Sequence, residues 1–226
     1  MHYLHTPKVE KIRRGMGEDQ AFGIADLKDT KKDTEMAETL HEYGVRVPRT
    51  IALITLEEII SEGKRISIQE AKDKGLLHPD SVPALEIRAF GTHIRLIDIL
   101  NNRKPKEKIR LLVEDARTLI AQELGKDPKE FTLENYTFWL AETIGRNLAL
   151  MHKNRYVHEY LAQGHNITLD GCFVDFDSVE KVEGSSTNLV FQKEQRDVRI
   201  LLDGFLERMN VVMDGSVKVI EILSEY

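Results

Sequence analysis

The chain has 226 residues, 41% of them hydrophobic and 31% charged, with a formal net charge of −6. That is enough for a full core in a soluble globular protein, as one large domain or two small lobes; the negative balance argues against a surface that coats nucleic acid or an anionic membrane. A single cysteine, Cys172, excludes an internal disulfide. It fits a reducing compartment. No apolar run approaches the roughly 20 residues of a membrane helix, and the N-terminus is too polar for a signal peptide. A cytoplasmic protein with no nucleic-acid or membrane partner is therefore expected.

The first 35 residues are polar and charge-dense, with Gly15, Gly17 and Gly23 among them. A short helix is predicted over residues 34–43 from the apolar stripe Met36, Ala37 and Leu40, with Gly44 suited to the C′ position. Thr50-Ile-Ala-Leu-Ile-Thr55 is a β-branched run that reads as a buried strand. Charged, poorly patterned sequence follows to about residue 81, and Ala84-Leu-Glu-Ile-Arg-Ala-Phe90 then alternates as a second strand, broken at Gly91.

From Lys106 the period becomes helical. Leu111, Leu112, Ala116, Leu119, Ile120 and Leu124 form a stripe ended by Gly125. Thr132 caps a second long helix, in which Tyr136, Leu140, Ile144, Leu148 and Met151 recur at helical spacing. His152 reads as a packing or helix-terminal residue, and Trp139 as core. A last helix holds Val198, Leu201, Leu202, Phe205 and Leu206. Strands early and helices late predict an α+β fold, with a small sheet-bearing lobe over residues 1–105 and a helical lobe over 106–226.

The most informative stretch is Asn166-Ile-Thr-Leu-Asp-Gly-Cys-Phe-Val-Asp175, followed by Phe176 and Asp177. Asp-Gly between β-prone runs predicts a two-residue type I′ hairpin, with left-handed backbone at both central residues. Leu169 then faces Cys172, and Asn166 faces Asp175 on the same side of the ribbon. An amide oxygen and a carboxylate so placed can share a hard cation such as Mg²⁺, as an Asn and an Asp do around ATP in kinase-like sites. The blander alternative is a surface hairpin closed by an Asn–Asp hydrogen bond.

Tyr156-Val-His158 precedes this hairpin, directly after the long helix. The order of long helix, His-containing loop, Asn, hairpin and Asp resembles that of the selenoprotein O family. Members of that family carry an Asn nine residues before the Asp of a DYG-type motif, the spacing of Asn166 and Asp175, with Asp175-Phe-Asp177 in place of DYG. Ala37-Glu-Thr-Leu-His-Glu-Tyr-Gly-Val-Arg-Val-Pro-Arg-Thr50 is similar to the family's SEAMxxLGxPTTRA segment, and Arg88-Ala-Phe-Gly-Thr-His-Ile-Arg95 to its RVxxSxIRxG stretch. Arg14-Gly-Met-Gly17 resembles its RGDG element, with Met16 at the acidic position.

The resemblance implies a shortened, divergent member with a protein-kinase-like fold, made of a reduced N-lobe and a helical C-lobe. The activity it implies is transfer of AMP from ATP to hydroxyls of a protein substrate, with Mg²⁺ or Mn²⁺. By the same resemblance, Asn166 and Asp175 hold metal, Arg88, Arg95 and Gly17 hold phosphate, and Glu38 matches the helix glutamate that pairs with an ATP-binding lysine. No lysine stands in register for that pairing; Lys8, Lys11, Lys28, Lys31 and Lys32 lie nearby in sequence. The family's proton-accepting aspartate is replaced by His165, whose imidazole is the side-chain type that titrates near neutral pH. Taken alone, Arg88 and Arg95 read equally as exposed strand-end arginines, and Glu38 as a solvated helix charge. His158 reads as an organiser of its loop through backbone hydrogen bonds. A non-catalytic nucleotide- or protein-binding module and a γ-phosphoryl-transferring kinase are the competing functions.

Overall fold

The computed structural model describes residues 25–101, 104–184 and 187–215. In chain order these form β1 (Ala25–Asp26), α1 (Leu27–Glu42), β2 (Arg49–Thr55), β3 (Glu58–Ser61), β4 (Lys64–Ser67), α2 (Ile68–Asp73), β5 (Pro83–Ala89) and α3 (Leu96–Leu100). There follow α4 (Lys106–Glu123), α5 (Leu133–Lys153), β6 (Tyr156–Val157), a 3-10 turn (Phe176–Ser178), β7 (Glu180–Lys181) and α6 (Thr187–Val212). The fold is mixed α+β. Among the described residues no helix is long and apolar enough to cross a membrane.

Two compact units emerge, one holding residues 25–35 and 50–89 and the other 36–49 and 90–215 of those described. The division falls inside α1 and near residue 90 rather than at 100–106. Leu96 and Ile99 of α3 are fully buried in the helical core, which keeps residues 90–101 with the helices.

In the first unit β1, β5 and β2 form a sheet in the order β1-β5-β2, with Ala25 antiparallel to Ala84. The stretch that lacks a clear sequence pattern is ordered. β3 and β4 form a hairpin whose turn residues Glu62 and Gly63 have φ of 51° and 77°, as a type I′ turn requires. Ser67 accepts a hydrogen bond from Glu70 N at 3.1 Å and caps α2. Ile59, Ile66, Ala71 and Leu77 close a small core of their own.

In the second unit Thr132 caps α5, accepting from Asn135 N at 3.2 Å while Asn135 Oδ1 accepts from Thr132 N at 3.1 Å. The expected stripe Tyr136, Leu140, Ile144, Leu148 and Met151 is buried throughout; each such side chain contributes about 1.5–3 kcal/mol relative to exposure. The five apolar residues expected on the last helix are likewise buried. The face of α4 is rotated from the expected one. Ile109, Val113, Ala116, Ile120 and Ala121 are buried, whereas Leu111 is 66% exposed and Leu124 41%. Ile109 sets the helical spacing of the buried face, and Leu111, two residues on, projects away from it.

Candidate functional site

The Asp-Gly hairpin forms, but in a different register. Gly171 N donates to Thr168 O at 2.9 Å, Thr168 N to Cys172 O at 3.0 Å and Val174 N to Asn166 O at 3.1 Å, with Ile167 bridging Phe173. Asn166 therefore faces Val174, not Asp175. The loop has three residues, Leu169 to Gly171, because only Gly171 is left-handed (φ 74°) and Asp170 is not; this is a turn followed by a glycine bulge rather than type I′. The carboxylate of Asp170 is engaged elsewhere: Oδ2 accepts from Gly91 N at 2.9 Å and Thr92 N at 3.2 Å, and Oδ1 accepts from the Thr168 hydroxyl.

A one-residue slip would send the side chain of Asp175 to the other face of the ribbon. Asp175 escapes this by leaving the strand, with φ 73° and ψ 63°. The chain enters the 3-10 turn there, so Asp177 lies on no strand. Asp175 and Asp177 nevertheless line the same cleft of about 460 Å³ as Glu159, His165, Asn166 and Ser178. Left-handed non-glycine residues cost about 1–3 kcal/mol each and cluster at functional sites; Glu159, which also lines the cleft, is another (φ 66°).

Arg95 contacts two residues that line this cleft, His165 and Asn166, without being one of its lining residues. Arg95 bridges Thr168 in the extended backbone just before α3, and its N–H donates to Asp98 Oδ2 at 3.0 Å. Its Nη1 donates to His165 O at 2.7 Å and reaches Asn166 Oδ1 at 3.5 Å. Asn166 is 6% exposed, while His165, Asp175 and Asp177 are exposed. His158 is fully buried, and its Nε2–H donates to Val174 O at 2.8 Å, next to Asp175. Burial holds this imidazole below its ordinary pKa, and the neutral ring is the form that donates once while its Nδ1 stays unprotonated.

The other expected residues are not gathered here. Arg88 belongs to the first unit, where its guanidinium is paired with Asp33 and Glu86, whose side chains are 7% and 9% exposed. Glu38 accepts a bidentate pair from Arg49 at 3.1 and 2.8 Å on an exposed surface, an interaction worth about 0.2–1 kcal/mol. Lys28 and Lys31 are exposed on α1 in the first unit, which also contains Lys32. Gly15, Gly17, Lys8 and Lys11 lie outside the described residues.

Among the described residues no group of three or more His, Cys, Asp or Glu could hold a metal ion. The donors present are the amide oxygen of Asn166 and the carboxylate of Asp175, with Asp177 beside them. That set is too small for an all-protein cage, and it fits Mg²⁺, which binds through one or two carboxylates together with substrate phosphates.

Two residues that shape this region escaped the sequence reading. Arg46 donates from Nε to Asp170 O at 2.6 Å, forks onto Glu123 and lies over Trp139 at 5.4 Å; its salt bridge to Glu123 and the nearby charges keep its pKa raised despite burial. Glu194 is a buried acid beneath the cleft loop. Its signal is an acidic residue in register with the apolar stripe of α6, three residues from Phe191 and four from Val198. No protein-family model and no curated protein sequence matches the chain.

Proposed function

We propose that the cleft binds Mg²⁺·ATP and that the protein, as a kinase-like member of the selenoprotein O group, transfers AMP to a hydroxyl of a protein substrate. The observation that carries this reading is the convergence of a guanidinium (Arg95), a buried amide (Asn166) and an exposed left-handed carboxylate (Asp175) in one unit. A cation and two hard oxygen donors are what a metal-bound polyphosphate needs.

In this reading Asn166 Oδ1 and the Asp175 carboxylate hold the metal, which supplies charge neutralisation when bound. The second Arg95 nitrogen, free of the His165 carbonyl contact, is directed to phosphate oxygens. The His165 imidazole takes the proton of the acceptor hydroxyl as its oxygen bonds to the α-phosphorus. The bond from the α-phosphorus to the bridging oxygen breaks, and pyrophosphate leaves. Catalysis is then chiefly positioning and charge stabilisation. Arg88 and Glu38 have no part in it, being paired with Asp33 and Glu86 and with Arg49.

Those same pairings favour a second reading, a non-catalytic kinase-like module that binds nucleotide or protein. ATP labelled separately at the α and γ positions, supplied with Mg²⁺ or Mn²⁺ and a substrate mixture, separates the possibilities. Transfer of the α label alone supports AMP transfer; transfer of the γ label alone means phosphorylation. ATP binding without transfer of either supports the module.

A further inference from the structure

The long helix α6 buries one face, with Val198, Leu201, Leu202, Phe205 and Leu206 in the core. Its opposite face carries three large apolar side chains, Leu189, Ile200 and Val211, which are 71%, 62% and 53% exposed. Scattered singly, exposed apolar residues are ordinary on a protein surface. These three are aligned. They recur every eleven residues, which is three helical turns to within about 20°, so they form one stripe about 33 Å long. Charge is divided along the same stripe. Lys193 and Arg196 stand between Leu189 and Ile200, and Glu207 between Ile200 and Val211, all three exposed; Asp197 and Asp203, half-buried, flank the stripe on either side. Within the helix this order stabilises little. Lys193 approaches Asp197 at 3.9 Å and Arg196 approaches it at 3.7 Å, near the limit of an ion pair. A basic residue four positions before an acidic one is also the weaker orientation on a helix.

We propose that this face of α6 docks on the same face of a second copy of the chain, antiparallel about a two-fold axis at Ile200. A two-fold contact must be self-complementary, and the stripe is. Ile200 meets its own mate at the axis, and Leu189 lies opposite Val211 of the second copy. Lys193 lies opposite Glu207 of the second copy, seven residues from Ile200 on the other side, and Arg196 falls beside Asp203 of the second copy. Asp197 falls opposite Gly204 of the second copy, so no like charges are brought together. Each of these pairs occurs twice. A parallel pairing would instead set Lys193 on Lys193 and Glu207 on Glu207, so the charges fix the direction as well as the partner.

A stripe about 33 Å long and about 10 Å wide amounts to about 330 Å² per copy. That is well below the roughly 800 Å² per partner of a stable complex, so the dimer is weak and reversible. No residue that lines the cleft belongs to α6, and the docking stands whether or not the cleft binds nucleotide. Sedimentation velocity of the full chain at low salt, from about 5 to about 500 μM, spans the range in which such an interface titrates. The wild type should pass from monomer to dimer. Ile200→Glu, which sets like charges at the axis, should raise the midpoint more than about tenfold. Lys193→Glu and Glu207→Lys should each weaken self-association about tenfold.

Mixed in equal amounts, the two charge variants should pair as tightly as the wild type, because each presents the opposite charge to the other at both contacts. Recovery in the mixture alone separates docking from any effect of a substitution on the fold. A wild type that stays monomeric through the range overturns the proposal. So do single variants that associate as the wild type does, or a mixture no tighter than its components.

Discussion

The two ends of the hairpin between Asn166 and Asp175 are built from similar residues and serve opposite ends. At the tip, polar groups of Leu169, Asp170 and Gly171 are taken up by the surrounding chain. Tyr136 Oη donates to Leu169 O at 2.7 Å, Asn147 Nδ2 to Gly171 O at 2.9 Å, and Arg46 Nε to Asp170 O at 2.6 Å. Asp170 is 1% exposed. At the mouth, Asp175 is exposed in a strained conformation and Asn166 offers an oxygen only 3.5 Å from a guanidinium. Buried polar groups rigidify when they are fully satisfied; under-used ones beside a cleft are available to a ligand. The tip is a foundation and the mouth is the proposed site, and the Asp-Gly sequence context gives no hint of which carboxylate is buried and which is exposed.

The sharpest separation is chemical. Burial pushes the Cys172 thiol, next to the tip, up to about 12 from an ordinary value of 9.0, about a thousandfold less thiolate at neutral pH than a free cysteine. Cys172 should resist alkylation in the native protein and react fully in denaturant. Rapid native reaction would mean that the tip opens. Next in size is Gly171→Ala. The new Cβ would stand 2.8 Å from Thr143 Cγ2 in a residue at φ 74°, so strain and overpacking should cost about 2–4 kcal/mol in urea unfolding. The mouth should behave differently: Arg95→Lys keeps the charge and loses the planar fork, and is expected to weaken Mg²⁺·ATP binding about tenfold with little change in stability.

A smaller effect joins the two ends through His158. Its pKa is depressed by burial in the folded protein, so the unfolded chain protonates near pH 6.5 while the native state does not. The stability it contributes is complete above that pH and is lost as the pH falls through the folded value. The drop in urea midpoint between pH 7 and pH 5.5 should therefore be smaller in His158→Asn than in the wild type.

Much of the helical unit is legible in sequence because periodicity reports burial directly. Tyr136 to Met151 and Val198 to Leu206 alternate with polar residues at helical spacing, and both stripes are buried as expected. α4 is less legible, since its apolar residues occur on more than one face and Leu111 is as apolar as any residue that ends up inside. The β3–β4 hairpin was hidden by its turn. Glu62-Gly63 adopts the backbone that Asp170-Gly171 was expected to adopt, with open space around Gly63, whereas the Asp170 side chain satisfies Gly91 and Thr92. Those long-range partners have no local signature. Arg95, His165, Asn166 and Asp175 were legible as a group because one short segment and its bridge partner carry them all. Arg88 was not, since its neighbours Asp33 and Glu86 come from α1 and its own strand and neutralise it there.

The central claim is that the mouth of the hairpin binds a metal-bound nucleotide. Isothermal titration of ATP into wild type and Asp175→Asn, each with and without Mg²⁺, tests it most directly. Asparagine keeps the size and tolerates the left-handed backbone, so apo stability should stay within about 0.5 kcal/mol. The account predicts Mg²⁺-dependent ATP binding in the wild type and loss of that dependence in the variant. Mg²⁺-dependent binding that is equal in the two proteins, or no binding by the wild type, would contradict it.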